Sequence, residues 1–149
     1  MLILDQLFDE VEIGDKSPLS PGRTMTEADV VNFCMLTGNW VEIHTNVEYA
    51  KHTPFKQRLV QGSLVFSVIP GLVGFGRSVA AFYGIDKLRF VKPVFIGDTV
   101  YVQVEIIGKR EKDDKLGVVT RRIDVQNQRG ELVQTSEQSM LTHRARLDA

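Results

Sequence analysis

Two hydrophobic periodicities divide the chain. In the first half apolar residues recur at helical spacing. In "TMTEADVVNFCMLTG" (residues 24–38), Val30, Phe33 and Cys34, with Leu36 nearby, form one stripe. Thr24 or Thr26 is placed to cap its start, acidic residues occupy the first turn, and Gly38 is placed to stop it. "NVEYAKHT" predicts a further short helix, capped by Asn46 and ending before Pro54. "VQGSLVFSVIPGLVGFGRSVAAFY" (60–83) is apolar on nearly all sides and predicts a buried helix, with Pro70 as a kink or break.

After that the period falls to two. "TVYVQVEIIGKRE" puts Val100, Val102, Val104 and Ile106 on one face. "LGVVTRRIDVQNQ" and "ELVQTSEQSMLTHR" read as partner strands joined through Asn127-Gln128-Arg129-Gly130. "LRFVKPVF" predicts another strand, with Pro93 at its edge or at a bulge. Near the N-terminus "LFDEVEI" (7–13) alternates apolar and acidic residues and predicts a short strand, followed by an irregular connection with two prolines. The expected fold is α+β: a curved antiparallel sheet wrapped around a central apolar helix in a single domain, 1–149.

Composition narrows the function. Hydrophobic residues make up 43% and charged residues 25% of 149 positions, as in an ordinary folded domain. A net charge of −1 without long runs of one sign gives no footprint for nucleic acid or an anionic membrane. The single cysteine, Cys34, precludes an intrachain disulfide and points to a reducing compartment. The N-terminus turns acidic too early for a signal peptide, and 59–75 is too short and too punctuated to span a bilayer. These features predict a cytoplasmic protein.

Candidate chemistry concentrates in "TGNWVEIHTN" (37–46), where His44 follows Asn39 by five positions. Imidazole can act as acid or base near neutral pH, but from the residues alone a surface or loop histidine bonded to backbone is the commoner outcome. Asn39 can accept from and donate to a water, but it cannot take up a proton.

"TGNWVEIHTNVEYA", "LVQGSLVFSVIPGLV" and "LRFVKPVFIGDTVYVQVEI" together resemble the MaoC-type dehydratases, or R-specific enoyl-CoA hydratases, along nearly the whole chain. The resemblance implies the hot-dog fold and a homodimer or higher homo-oligomer, with an acyl-CoA or acyl-carrier thioester as substrate and no cofactor. It also implies reversible addition of water to a 2-enoyl thioester. The family motif runs Asp, any residue, Asn, Pro, any residue, His. Here the histidine survives as His44, flanked by Gly38 and Tyr49-Ala50, while Asn39 stands at the aspartate position.

What the resemblance implies for the site is specific. His44 and Asn39 would hold the water. Backbone N–H groups of Gly62 and Ser63, at the start of the central helix, would polarise the thioester carbonyl, as helix N-termini suit developing negative charge. Glu42 could share a pocket with His44 if the loop is extended and so replace the missing carboxylate. Ser67 could face the pocket or cap a backbone carbonyl, Trp40 could pack on an acyl chain, and Arg89 and Lys92 could meet phosphates. Gly97-Asp98 predicts a turn. Cys34 has no partner base, and His52 and His143 lack metal-ligand spacing, so no metal site is expected. Two other functions remain open: a hot-dog thioesterase, and a non-catalytic acyl-thioester-binding subunit that kept the pocket and lost the base.

Overall fold

The computed structural model describes residues 3–147. Helix α1 (Glu27–Thr37) starts where its capping chemistry predicts. The Thr26 hydroxyl accepts from Asp29 N–H at 3.2 Å, and the Asp29 carboxylate accepts from Thr26 N–H at 2.8 Å. Gly38 ends the helix at φ 72°, donating to the Cys34 carbonyl. Two short helices follow, α2 (Glu42–Thr45) and α3 (Val47–Lys51), the second capped by the Asn46 side chain accepting from Tyr49 N–H.

Helix α4 (Gly62–Val73) is the central apolar helix, burying Leu64, Val65, Ile69, Leu72 and Val73. Pro70 sits in its last turn, where the missing N–H costs one bond without breaking the helix. The helix ends at Gly74, eleven residues after Ser63, so the helical pattern expected through Tyr83 is corrected. Residues Val79–Phe90 are instead strand β2.

Strands β3 (Thr99–Glu111), β4 (Leu116–Gln126) and β5 (Leu132–His143) form the antiparallel meander read from alternation, and β1 (Arg23–Thr24) is a two-residue edge. The sheet order is β1-β3-β4-β5-β2. Register is pinned by pairs such as Val104 with Ile123 and Val125 with Gln134, because a one-residue slip would turn the buried face outward. Val100, Val102, Val104, Ile123, Val125 and Val133 meet the buried face of α4 in one cluster. This is the hot-dog arrangement: one helix along the inner face of a curled antiparallel sheet. Truncating Ile69, 1% exposed, to alanine would cost about 2–5 kcal/mol through the cavity left behind.

Two other expectations are corrected. Residues 7–13 form no strand; Phe8–Glu10 is a 3₁₀ turn. The reason is that Phe8 and Val11, three apart, are the buried pair, packing with Ile106 and Val119. "LRFVKPVF" does not form one strand either: β2 ends at Phe90, and Pro93 lies in the connection beyond it.

Candidate active site

The stretch carrying His44 is helical, not the extended loop that a shared pocket for Glu42 and His44 requires. In α2 the side chains of Glu42 and His44 diverge, and the Glu42 carboxylate accepts from the Asn46 side-chain amide at 3.0 Å. The idea that Glu42 supplies the missing carboxylate therefore loses its geometric basis.

His44 itself is held by the segment that leads into α4. Leu59 N–H donates to the Ile43 carbonyl at 3.0 Å, and His44 Nδ1 lies 2.8 Å from the Leu59 carbonyl oxygen. A carbonyl oxygen can only accept, so Nδ1 carries the proton. In the neutral ring Nε2 is then left as an acceptor. The backbone-bonded histidine and the chemically available one turn out to be the same residue.

Three residues beyond Leu59, Gly62 opens α4. No side chain caps this end of the helix, and the first N–H groups of a helix have no intrahelical acceptor. Across from it, Gln134 on β5 donates through Nε2 to the Gly62 carbonyl at 3.0 Å, tying the first turn of α4 to the sheet. The other amide atom of Gln134, Oε1, is buried without a hydrogen-bond partner among the described residues.

His44 and Gly62 line one cavity of about 380 Å³, together with Gln134. Leu59, Val60, Val65, Phe90, Val91, Pro93 and Val94 give it an apolar lining. Asn39 and Ser63 are not among the lining residues. Asn39 is half-buried just after the end of α1, its N–H donating to the Thr37 hydroxyl. Among the lining residues the ionisable side chains are His44 and Lys92; none is a carboxylate.

The remaining candidates sort by contact. Ser67 donates to the Ser63 carbonyl at 2.7 Å, so it caps backbone on the exposed side of α4. Cys34 is fully buried and meets the Gln61 side-chain amide at 3.2 Å. Asp98 makes the expected turn, its carboxylate accepting from Phe95 N–H and from Gln128. Lys92 lines the cavity with its ammonium 3.6 Å from Glu131, whereas Arg89 bonds the neighbouring Leu88 carbonyl. Trp40 is half exposed and outside the lining. No group of metal-ligating side chains occurs among the described residues, and no helix there is long and apolar enough to cross a membrane. Gln134 and Phe90 escaped the sequence reading. The available signal was a run of glutamine and serine at inward positions of a strand (Gln134, Ser136, Gln138), all buried.

The family model described as MaoC like domain matches residues 9–128. The chain belongs to the MaoC-like dehydratase family. Among MaoC-like relatives, Protein MaoC of Klebsiella aerogenes is 41% identical over 110 residues, which is 72% of this chain but 32% of that protein. The chain thus spans about a third of that relative's length. The (R)-specific enoyl-CoA hydratase of Aeromonas caviae is 33% identical over 85% of this chain and 92% of its own length. The solved structure of the (R)-hydratase from A. caviae superposes with a TM-score of 0.75 at 30% identity, over 88% of this chain and 96% of that one. A structure from Archaeoglobus, named as a monoamine oxidase regulatory protein, gives a TM-score of 0.88 at 40% identity and covers 98% of this MaoC-like chain and 100% of its own.

Proposed function

We propose that this chain adds water reversibly to a 2-enoyl thioester, with His44 as its proton-transfer group. The supporting observation is that His44 and the start of α4 at Gly62 line one apolar-walled cavity. In this reading water loses a proton to His44 Nε2 as its oxygen bonds C3. The electron pair of the double bond moves toward the carbonyl, and the imidazolium returns the proton to C2. The charge gathering on the thioester oxygen is met by the N–H groups of Gly62 and Ser63. Donors fixed before the reaction are worth most where water is excluded. Asn39, outside the cavity lining, is given no proton-transfer role in this reading. Relatives named as hydratases and dehydratases support this reaction class.

The absence of a carboxylate from the lining favours one second reading: a pocket that binds acyl thioesters without turning them over. The same absence weighs against a thioesterase. Following the loss of enoyl absorbance of crotonyl-CoA, alongside calorimetric binding, separates these. Turnover above the uncatalysed rate supports the hydratase. Binding without turnover supports the second reading. Thiol release would overturn both.

The protein acts as a homodimer through β2 in this reading. None of the twelve residues of this edge strand is buried, and Phe82, Tyr83 and Ile85 are 48%, 50% and 41% exposed. The apolar first part of this edge, before Asp86, Lys87 and Arg89, is left open and invites pairing with another strand.

A further inference from the structure

We propose that a second cavity, lined in part by Arg121, binds a small carboxylate with a short apolar tail. Arg121 lies on β4 with its side chain on the inner face of the sheet, 2% exposed. Its Nε and Nη1 are buried and have no hydrogen-bond partner among the described residues. A buried guanidinium ordinarily has a carboxylate or carbonyl partner, because an uncompensated charge in a low-dielectric interior is costly. Here the nearest stabilising contact is the face of Phe75, 5.7 Å from the guanidinium carbon. Burial pulls the guanidinium down to about 10, so it stays cationic at neutral pH.

The cavity that this cation lines has a volume of about 280 Å³ and shares no residue with the His44 cavity. Val104, Ile106 and Leu4 give it apolar walls, and Gln6 and Ser17 give it a polar rim. Two charged side chains also line it. Lys16 is paired with Glu105 at 3.3 Å, and the Asp15 carboxylate accepts from Glu12 N–H at 3.3 Å rather than from Arg121. An unpartnered guanidinium donor is satisfied by a carboxylate oxygen. Apolar walls beside it select a hydrocarbon tail over a fully hydrated anion such as inorganic phosphate.

The test uses butyrate, with butyramide and inorganic phosphate as controls at constant ionic strength. It is read by thermal shift and by the ¹⁵N-coupled Nε–H signal of Arg121. Butyrate should raise the melting temperature with the logarithm of its concentration and shift that signal saturably; butyramide and phosphate should not. Arg121→Met should weaken binding by about tenfold or more, the loss expected when a charged donor pair is removed. Should Arg121→Met fail to fold, Gln6→Trp decides, since exposed Gln6 lies at the rim and its replacement plugs the cavity. Absence of a butyrate effect on wild type, equal effects of phosphate or butyramide, or unchanged binding in Arg121→Met or Gln6→Trp would each overturn the proposal. Inactivity toward crotonyl-CoA bears on the His44 site alone and leaves this result standing.

Discussion

The ring of Phe90 fills the space where a side chain on Gly62 would begin: a Cβ there would lie 2.7 Å from Phe90 Cε1. The absence of a side chain at residue 62 is what lets the Phe90 ring come this close at the cavity wall. Phe90 is 61% exposed, so its ring can swing aside and the fold should tolerate Gly62→Ala with little change in melting temperature. The added methyl and displaced ring would intrude on the site. One methylene misfit in a pocket is worth about 10–200-fold, so crotonyl-CoA binding measured by calorimetry should weaken by about tenfold or more. Phe90→Ala in the same chain should restore part of it. Unchanged affinity in Gly62→Ala would mean that the thioester does not approach this end of α4.

Asn39 makes no side-chain hydrogen bond among the described residues, its backbone N–H alone being engaged with Thr37. Exchanging it for aspartate therefore breaks no side-chain hydrogen bond among the described residues. If residue 39 shares a water with His44, Asn39→Asp adds a second group that can exchange protons, and general acid–base help is worth about 10²–10⁴-fold. Steady-state hydration rates should rise accordingly. A variant no faster than wild type would remove residue 39 from the reaction.

The open edge of β2 predicts a dimer in sedimentation experiments. Ile85 pairs with Gln138 inside the protomer and is 41% exposed beyond it. Ile85→Lys should shift the species toward monomer while leaving the far-ultraviolet spectrum intact, since a charge on an edge strand blocks strand addition. A wild-type monomer at all concentrations would contradict the arrangement.

Acid stability should depend on Asp113 in the β3–β4 turn. Its carboxylate accepts from Lys115 N–H at 2.8 Å and Leu116 N–H at 2.9 Å, and these bonds hold its pKa below the ordinary aspartate value. A depressed folded-state pKa contributes stability that is fully present above the unfolded value of about 3.9 and is lost as pH falls through the folded one. Melting temperatures of wild type and Asp113→Asn should therefore differ near neutrality and converge in acid. A gap that persists undiminished at low pH would show that the charge is not its source.

Much of this architecture can be read from residue order because one face of each central strand is buried. Val100, Val102, Val104 and Ile106 alternate cleanly for that reason. The β2 strand could not be read in the same way. With neither face buried within the protomer it carries no alternation, and "GFGRSVAAFYG" continues the apolar character of α4 past the glycine that ends the helix. The Phe8–Val11 pair was misread because alternation of acidic residues around it mimics a strand, whereas a spacing of three decides the turn. At the site, His44 and Gly62 were identified through motif positions. Gln134 and Phe90 reach the cavity through sheet pairing across long separations, which local pattern does not encode. The helical form of α2, which turns Glu42 aside, and its tie to Leu59 through the Ile43 carbonyl are likewise not marked in the local pattern.

The most direct measurement compares crotonyl-CoA hydration by wild type and His44→Gln, in which Nε2 basicity is lost while side-chain bulk and polarity are largely kept. The account predicts a wild-type rate above the uncatalysed reaction, a drop of about 10²–10⁴-fold in the variant, and nearly equal crotonyl-CoA affinity in both. Equal rates in the two proteins would contradict the assignment of His44 as the proton-transfer group.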